Sequence, residues 1–406
     1  MTDRICLLSE DVPYFRDVER TIARFTAETG IEVEIGFRFL TDLWTETERA
    51  YTEEPAPWDV VVTDEMILAI FVAQGRVRPL DDLVAGDRYD ASDYVAASLD
   101  LARFGGSLYG IPYANMCNVL GYRRDLLERF DVGVPSSMEE LVDAAQTVQS
   151  RLRAAGDDGT YGFLSRGRAG HGFNVWILAS TFFPAWGATW FDDQGRPAVD
   201  SEATTGALEA YVRLLRDAGP PDSSRLLWTE AHDRFEAGEA AFFIDAATEL
   251  TLMHDAGGPH AEAIGVAPVP YGPRGTRHSG LYGPMFAIPA ATRNVEAAWE
   301  LVKFAASPEQ IRSDALNGGN PEVARMSVVR SSDYRDRFSA DVADTVLRTR
   351  ELARNERPRV ERWFEIGDVV GEAIERAIAG GEPRRLLAEA QERVAALVGE
   401  RIRWLT

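Results

Sequence analysis

The residues able to do chemistry in this chain are mostly carboxylates, and their spacing suits holding a ligand better than breaking a bond. Asp64 and Glu65, or Asp192 and Asp193, could be set up as a glycosidase pair, but adjacent acids on one strand end do not flank a scissile bond. The five histidines, His171, His232, His254, His260 and His278, show no HExxH or other ligand spacing, so no metal site is expected. Neither GxSxG nor a GxGxxG following a strand occurs. Lys303 is the single lysine among 43 basic residues, which leaves none for a phosphate loop or a Schiff base unless that one serves. Cys6 and Cys117, the only cysteines, lie in apolar runs without CxxC spacing and read as buried, unpaired thiols. No cofactor is expected.

Those carboxylates must be positioned by a large scaffold. At 406 residues the chain exceeds the size at which one core keeps growing, so two domains are expected. Apolar content of 45% and charged content of 27% are ordinary for a globular protein. The balance is acidic, with net charge −22 and a pI near 4.7, so nucleic acid and anionic membrane surfaces are poor partners. No apolar run reaches the roughly 18 residues that span a bilayer. Met1-Thr2-Asp3-Arg4 leads directly into Ile5-Cys6-Leu7-Leu8, so the amino terminus is not a signal peptide. An exported protein would have lost that leader, with Met1 added in its place.

The elements follow a βαβαβα rhythm. Ile5 to Leu8, Ile31 to Ile35 and Trp58 to Thr63 read as strands, with helices over 13–29, 41–50 and 65–75. A mainly parallel sheet with covered faces follows, and ligands of such sheets sit at the carboxyl ends of strands, here Ser9 to Asp11 and Thr63 to Glu65. The organising stretch is Phe104 to Leu126. Gly105-Gly106 turn, Leu108 to Ile111 extend, Pro112 removes a ladder donor, and Val119 to Tyr122 extend again, as in a crossing between two lobes. Ile264 to Pro268 reads as a return crossing and Asn317 to Pro321 as a third break. Helices are expected near 139–153, 174–183, 202–218, 229–237, 295–305 and 384–404, with Ala240 to Ile244 a strand that delivers Asp245 at its end.

Taken in order, several pieces resemble the extracellular solute-binding proteins of ABC importers that take up carbohydrates. They are Ala73-Gln74-Gly75 with Pro79-Leu80-Asp81, Tyr109-Gly110-Ile111-Pro112, Gly121 to Leu126, Phe235 to Ala241, Ala267 to Pro270, Ala287-Ile288-Pro289 and Glu296 to Trp299 with Lys303-Phe304. Within that family the chain looks most like the polyol-binding, sorbitol/mannitol-type branch. This rests on Arg166 to Gly170, Trp190-Phe191-Asp192, Ala218 to Pro221, Phe243 to Ala246, and Pro321 with Arg325 and Ser327. It departs from that branch in carrying Tyr282 and Pro284 where tryptophans precede the Ala-Ile-Pro strand, and Asn320 to Arg325 where Pro-Pro-Gly-Thr-Arg is usual.

The resemblance implies an α/β fold of the two-lobed periplasmic binding protein type (type II), with the ligand between lobes. The expected lobes are residues 1–112 with 264–314, and 113–263 with 315–406. It implies a non-enzymatic, extracytoplasmic monomer that delivers a small carbohydrate or polyol to permease subunits of an ABC transporter. An oligosaccharide or anionic glycoside, with Arg325 meeting the charge, is the alternative ligand, and a carbohydrate-active enzyme the alternative class. A sugar or polyol offers hydroxyls and apolar C–H faces, so carboxylates, amides and aromatic rings are needed. The candidates at strand ends and breaks are Glu10, Asp11, Asp64, Glu65, Tyr113, Asn115, His171, Asn174, Trp186, Asp245, Tyr282 and Arg325. Asp245 is expected to touch ligand, or else to cap the helix that follows it.

Overall fold

The computed structural model describes residues 4–170, 173–354, 357–399, 402, 404 and 405. Its first strands are β1 (Arg4–Glu10), β2 (Glu32–Arg38) and β3 (Val60–Thr63), with β1 paired in parallel to both neighbours. The first long helix is split into Pro13–Arg16 and Val18–Thr29. It buries Val18, Ile22 and Phe25 and ends at Gly30, whose φ of +76° is the left-handed conformation glycine adopts without a Cβ clash. All of β3 is buried, as a Val-Val-Val run covered on both faces should be. A hairpin of β4 (Arg103–Phe104) and β5 (Ser107–Leu108) precedes β6 (Gly110–Pro112). Further on come β7 (Met116–Arg123), β8 (Tyr161–Leu164), β9 (Ala240–Ala246), β10 (Ile264–Pro268), β11 (Ser279–Tyr282), β12 (Met285–Ala287) and β13 (Ala353–Arg354).

These strands make two main sheets, and hence two lobes. The first has the order β2-β1-β3-β12-β6, the second β13-β11-β7-β9-β8 with β10 also on β7. Pro112 ends β6, an edge strand paired only with β12, where a missing donor does no harm. The eight residues of β7 form the axis of the second sheet: β9 lies along one side, and β10 and then β11 share the other. Alternate residues of this sheet feed opposite layers. Leu120, Phe163, Phe242 and Ile244 pack with the helices Met138–Ala154, Glu202–Asp217 and Trp363–Ile378, while Val119, Leu164 and Phe243 face the other way with Ala247–Asp255 and Ala340–Leu352.

The crossings need one correction. Pro268 is no crossing: β10 pairs with β7 along its length, from Ile264 opposite Arg123 to Pro268 opposite Val119, so residues 264–282 lie with the second sheet. The proline is tolerated because it ends a strand that borders β7 alone. The return crossing is Tyr282 to Met285, where the Tyr113 amide donates to the Pro284 carbonyl at 2.8 Å and Met285 pairs with Pro112. A third crossing lies beside the first, through a bridge of Ala114 with Val323.

Arg325, expected in the cleft, anchors that third crossing instead. Its side chain is 2% exposed; Nε and Nη2 donate to the Ala306 carbonyl (3.0 and 2.8 Å), Nη1 to the Asp90 carbonyl (2.8 Å) and Nη2 to the Tyr89 hydroxyl (2.6 Å). Its guanidinium also lies 4.0 Å over the Tyr94 ring. Removing a cation from carbonyls that no water reaches leaves them unpaired, so Arg325→Leu should lower unfolding free energy by about 3 kcal/mol. Ligand affinity should stay within about twofold, since the residue lies away from the cleft. Denaturant unfolding and titration calorimetry on one preparation check both halves.

Candidate functional site

β1 and β3 end side by side and deliver Glu10 and Asp64 to one cavity of about 140 Å³. Phe15, Leu43, Trp44, Thr47, Val62, Thr63 and Ile67 line it from the first lobe, Trp228 and Phe364 from the second, and Tyr282 from the return crossing. Two aromatic pairs reach across the cleft: Trp44 meets Phe364 edge-on with centroids 4.9 Å apart, and Phe39 meets Trp228 at 5.6 Å. Rings facing one another over carboxylates are a surface for C–H faces and hydroxyls together.

Asp64 is held by the helix it starts, its Oδ1 accepting from the Met66 and Ile67 amides at 2.8 and 2.9 Å. Glu10 has no such support: among the described residues its carboxylate accepts no hydrogen bond and forms no ion pair. Burial pushes its pKa up, Asp64 and Glu249 push it further, and Arg166 only partly opposes them, leaving it at about 7.

Behind the cavity in the second lobe lies a charged network. Arg166 grips Asp245 with Nε to Oδ2 at 2.8 Å and Nη2 to Oδ1 at 2.5 Å, and its guanidinium lies 5.9 Å from the Trp228 ring. His232 stands between Asp245 (3.2 Å) and Glu249 (3.1 Å). Burial alone would lower the His232 pKa, but the Glu249 and Asp245 carboxylates outweigh it and lift it to about 9. Burial likewise works against ionised Asp245, yet Arg166 and His232 hold it well below the usual carboxylate range.

Of the twelve residues singled out from the sequence, Glu10, Asp64 and Tyr282 line the cavity. Glu65 is fully buried beside it, ion-paired with Arg357, whose guanidinium lies 4.9 Å from the Trp176 ring and 5.7 Å from Tyr282. Asp11 turns outward to Arg16 at 2.6 Å. Tyr113 is core, between Phe15 and Phe286. Asn115 is buried in the first crossing, its amide nitrogen of the backbone donating to the Glu322 carbonyl. Asn174 is spent on the Gly167 and Gly371 carbonyls, and Trp186 stacks on Phe182 in the second lobe. His171 lies outside the described residues. Asp245 neither lines the cavity nor caps a helix: it sits within β9 opposite Val119, and the helix Ala247–Asp255 begins at Ala246 without a side-chain cap. The strand runs two residues longer than its apolar Phe-Phe-Ile stretch, which buries the carboxylate on its partners.

Four contributors were not foreseen: Trp44, Trp228, Phe364 and the Arg166–His232–Glu249 framework. Trp44 carried a readable signal, an aromatic one turn into the helix that follows a strand end. Trp228 and Phe364 carried none, because only the tertiary fold brings their helices to the cleft.

A small cavity of carboxylates and rings held between two α/β lobes defines a two-lobed ligand-binding protein. Residues 16–311 match the model of the family described as bacterial extracellular solute-binding protein, and the chain belongs to that family. The mannitol-binding protein of Pseudomonas aeruginosa is 31% identical over 59% of this chain and 54% of its own length, so the alignment spans about half of that relative. An ABC transporter solute-binding protein of Agrobacterium radiobacter K84, solved with ribitol, superposes with TM-score 0.87 at 26% identity over 97% of this chain and 98% of its own. One from Agrobacterium vitis S4 with bound D-mannitol gives 0.86 at 25% over 98% and 99%. These are binding proteins and not enzymes, and in this structure Asp64 caps its helix while Glu65 is ion-paired with Arg357. The family also places the protein outside the cytoplasm.

Two outcomes follow from the charges. Glu10, Asp314 and Glu322 have pKa values raised from 4.5, 3.8 and 4.5 respectively to about 7, so the folded state keeps protons that the unfolded chain has already lost. Their stabilisation is greatest below those ordinary values and fades as pH climbs through 7. His232, raised from 6.5 to about 9, contributes fully below 6.5 and loses its contribution as pH rises through 9. The signs agree, so the melting temperature of the ligand-free protein should fall steadily from pH 5 to pH 9.5 in scanning calorimetry; a maximum at the alkaline end would contradict these assignments. Asp245→Asn keeps the shape and removes the charge. It should lower stability by about 3 kcal/mol and lower the His232 pKa in an NMR titration, whereas an unmoved His232 would show that Asp245 does not hold it.

Proposed function

We propose that the protein captures one small carbohydrate or linear polyol between its lobes and, acting as a monomer, presents it to the permease of an ABC importer. The observation that carries this is the cavity itself, with carboxylate acceptors at two strand ends facing aromatic rings from both lobes. Rings and carboxylates from both lobes enclose this one cavity of about 140 Å³, which suits a single small molecule better than an oligosaccharide. The polyols named for the two Agrobacterium structures and the mannitol-binding relative support the same ligand class. An anionic glycoside is disfavoured, because Arg325 is buried elsewhere and Arg166 is already bound to Asp245. On this reading the first lobe is residues 4–112 with 285–318, whose helices Val295–Ala305 and Pro308–Gly318 pack on Val18–Thr29, and the second is built on residues 116–282.

Isothermal titration with ribitol, mannitol, sorbitol, glucose and maltose tests the proposal. At least one five- or six-carbon polyol or monosaccharide should bind one-to-one without turnover, more tightly than maltose. Trp44→Ala should weaken it about tenfold, the cost of one stacked ring. Tighter binding of maltose, or an unaffected Trp44→Ala variant, would reject the site as drawn.

A further inference from the structure

The cavity is rich in acceptors and poor in donors. Among the described residues that line it, none is Lys, Arg, His, Asn or Gln, and the donors are hydroxyls and indole N–H groups. The cations near it are matched one by one: Arg166 by Asp245, Arg357 by Glu65, and His232 by Asp245 and Glu249. Glu10 and Asp64 are the carboxylates among the described residues that line the cavity, and among those residues the Glu10 carboxylate accepts no hydrogen bond. A neutral polyol supplies two oxygen lone pairs for every hydroxyl proton, and in this cavity those lone pairs find few donors. A protonated amine supplies donors only, places a charge against two carboxylates, and lies among the Trp44, Trp228 and Phe364 side chains, aromatic rings that tolerate a cation; the Trp228 ring already has the Arg166 guanidinium 5.9 Å away.

We propose that the site prefers a hydroxylated ligand carrying a protonated amine, an amino-deoxy polyol or amino sugar, over its neutral parent, and the neutral parent over the corresponding acid. This rests on the proposed ligand cleft and narrows the class of molecule it takes. Burial, and then the Asp64 and Glu249 charges, raise the Glu10 pKa to about 7, so at pH 8 the carboxylate is mostly ionised and an ammonium beside it offsets that like-charge repulsion.

The test compares three molecules of one carbon skeleton, 1-amino-1-deoxysorbitol, sorbitol and gluconate, by titration calorimetry at pH 8 and low salt. The amine should bind at least about tenfold more tightly than sorbitol, a difference of roughly 1.4 kcal/mol, and gluconate least. In Glu10→Gln, which keeps the shape and whose folding is checked by its melting temperature, both ligands should bind more weakly, and the amine should lose more, so that its advantage shrinks to less than about threefold. In wild type, the advantage should also diminish at high salt. Sorbitol binding as tightly as the amine, or an advantage that survives Glu10→Gln, overturns this inference and leaves the polyol reading intact. Binding of none of the three overturns this inference, and the polyol reading falls with it only if ribitol, mannitol and glucose fail as well.

Discussion

One buried carboxylate ties the crossings together. Glu322, 1% exposed, accepts hydrogen bonds from the Cys117 amide at 2.6 Å and from the amide and hydroxyl of Thr248 at 2.9 and 2.8 Å, while its own carbonyl accepts from the Asn115 amide at 2.6 Å. Cys117 belongs to β7, Thr248 opens the helix after β9, and Asn115 lies in the first crossing. A single residue on the third crossing therefore fixes where the first crossing enters the second sheet. Burying it is costly, and burial pushes its pKa to about 7 although three donors favour the ionised form. Replacing such a hub with an apolar residue would leave two backbone donors without acceptors. The register of β7, and through it the position of β9 and the Asp245 network, depends on this contact.

The charges around the cleft divide into those that are settled and those that are not. Arg166, Asp245, His232 and Glu249 satisfy one another in the second lobe, and a network of that kind fixes side-chain directions more than it adds stability. Glu10 and Asp64 on the first lobe face the cavity with much less. The second lobe thus presents a preset wall, and the first an electrostatic demand. Aromatic rings from both supply the contact area that a hydroxylated carbon chain needs.

What the sequence disclosed follows from how local each signal is. Pro112 marked a crossing correctly because the proline sits at the end of an edge strand, and Pro268 marked one wrongly for the same reason, since a strand bordering β7 alone accepts proline just as well. Glu10 and Asp64 were legible because parallel strands put ligands at their carboxyl ends, a rule needing only the strand pattern. Asp245 and Arg325 were misplaced because a charge after a strand, or after a break such as Asn317 to Pro321, looks the same whether it faces a cleft or a buried partner of opposite sign or a carbonyl. Trp228 and Phe364 belong to helices far apart in the chain, and no local pattern marks residues that only tertiary packing brings to one cavity.

The rings that meet across the cleft bear on time as well as on fit. Trp44 with Phe364, and Phe39 with Trp228, join the lobes through contacts between protein side chains. On the proposed reading, a ligand enclosed between them leaves only when both pairs part, so part of the dissociation barrier is the same for every ligand. Each aromatic pair contributes about 0.5 to 1.5 kcal/mol beyond its buried area, which lengthens the residence of weak and strong ligands by a common factor. Discrimination between ligands then resides in how often a productive closure occurs and in the contacts inside. The lifetime of the closed cleft belongs to the protein.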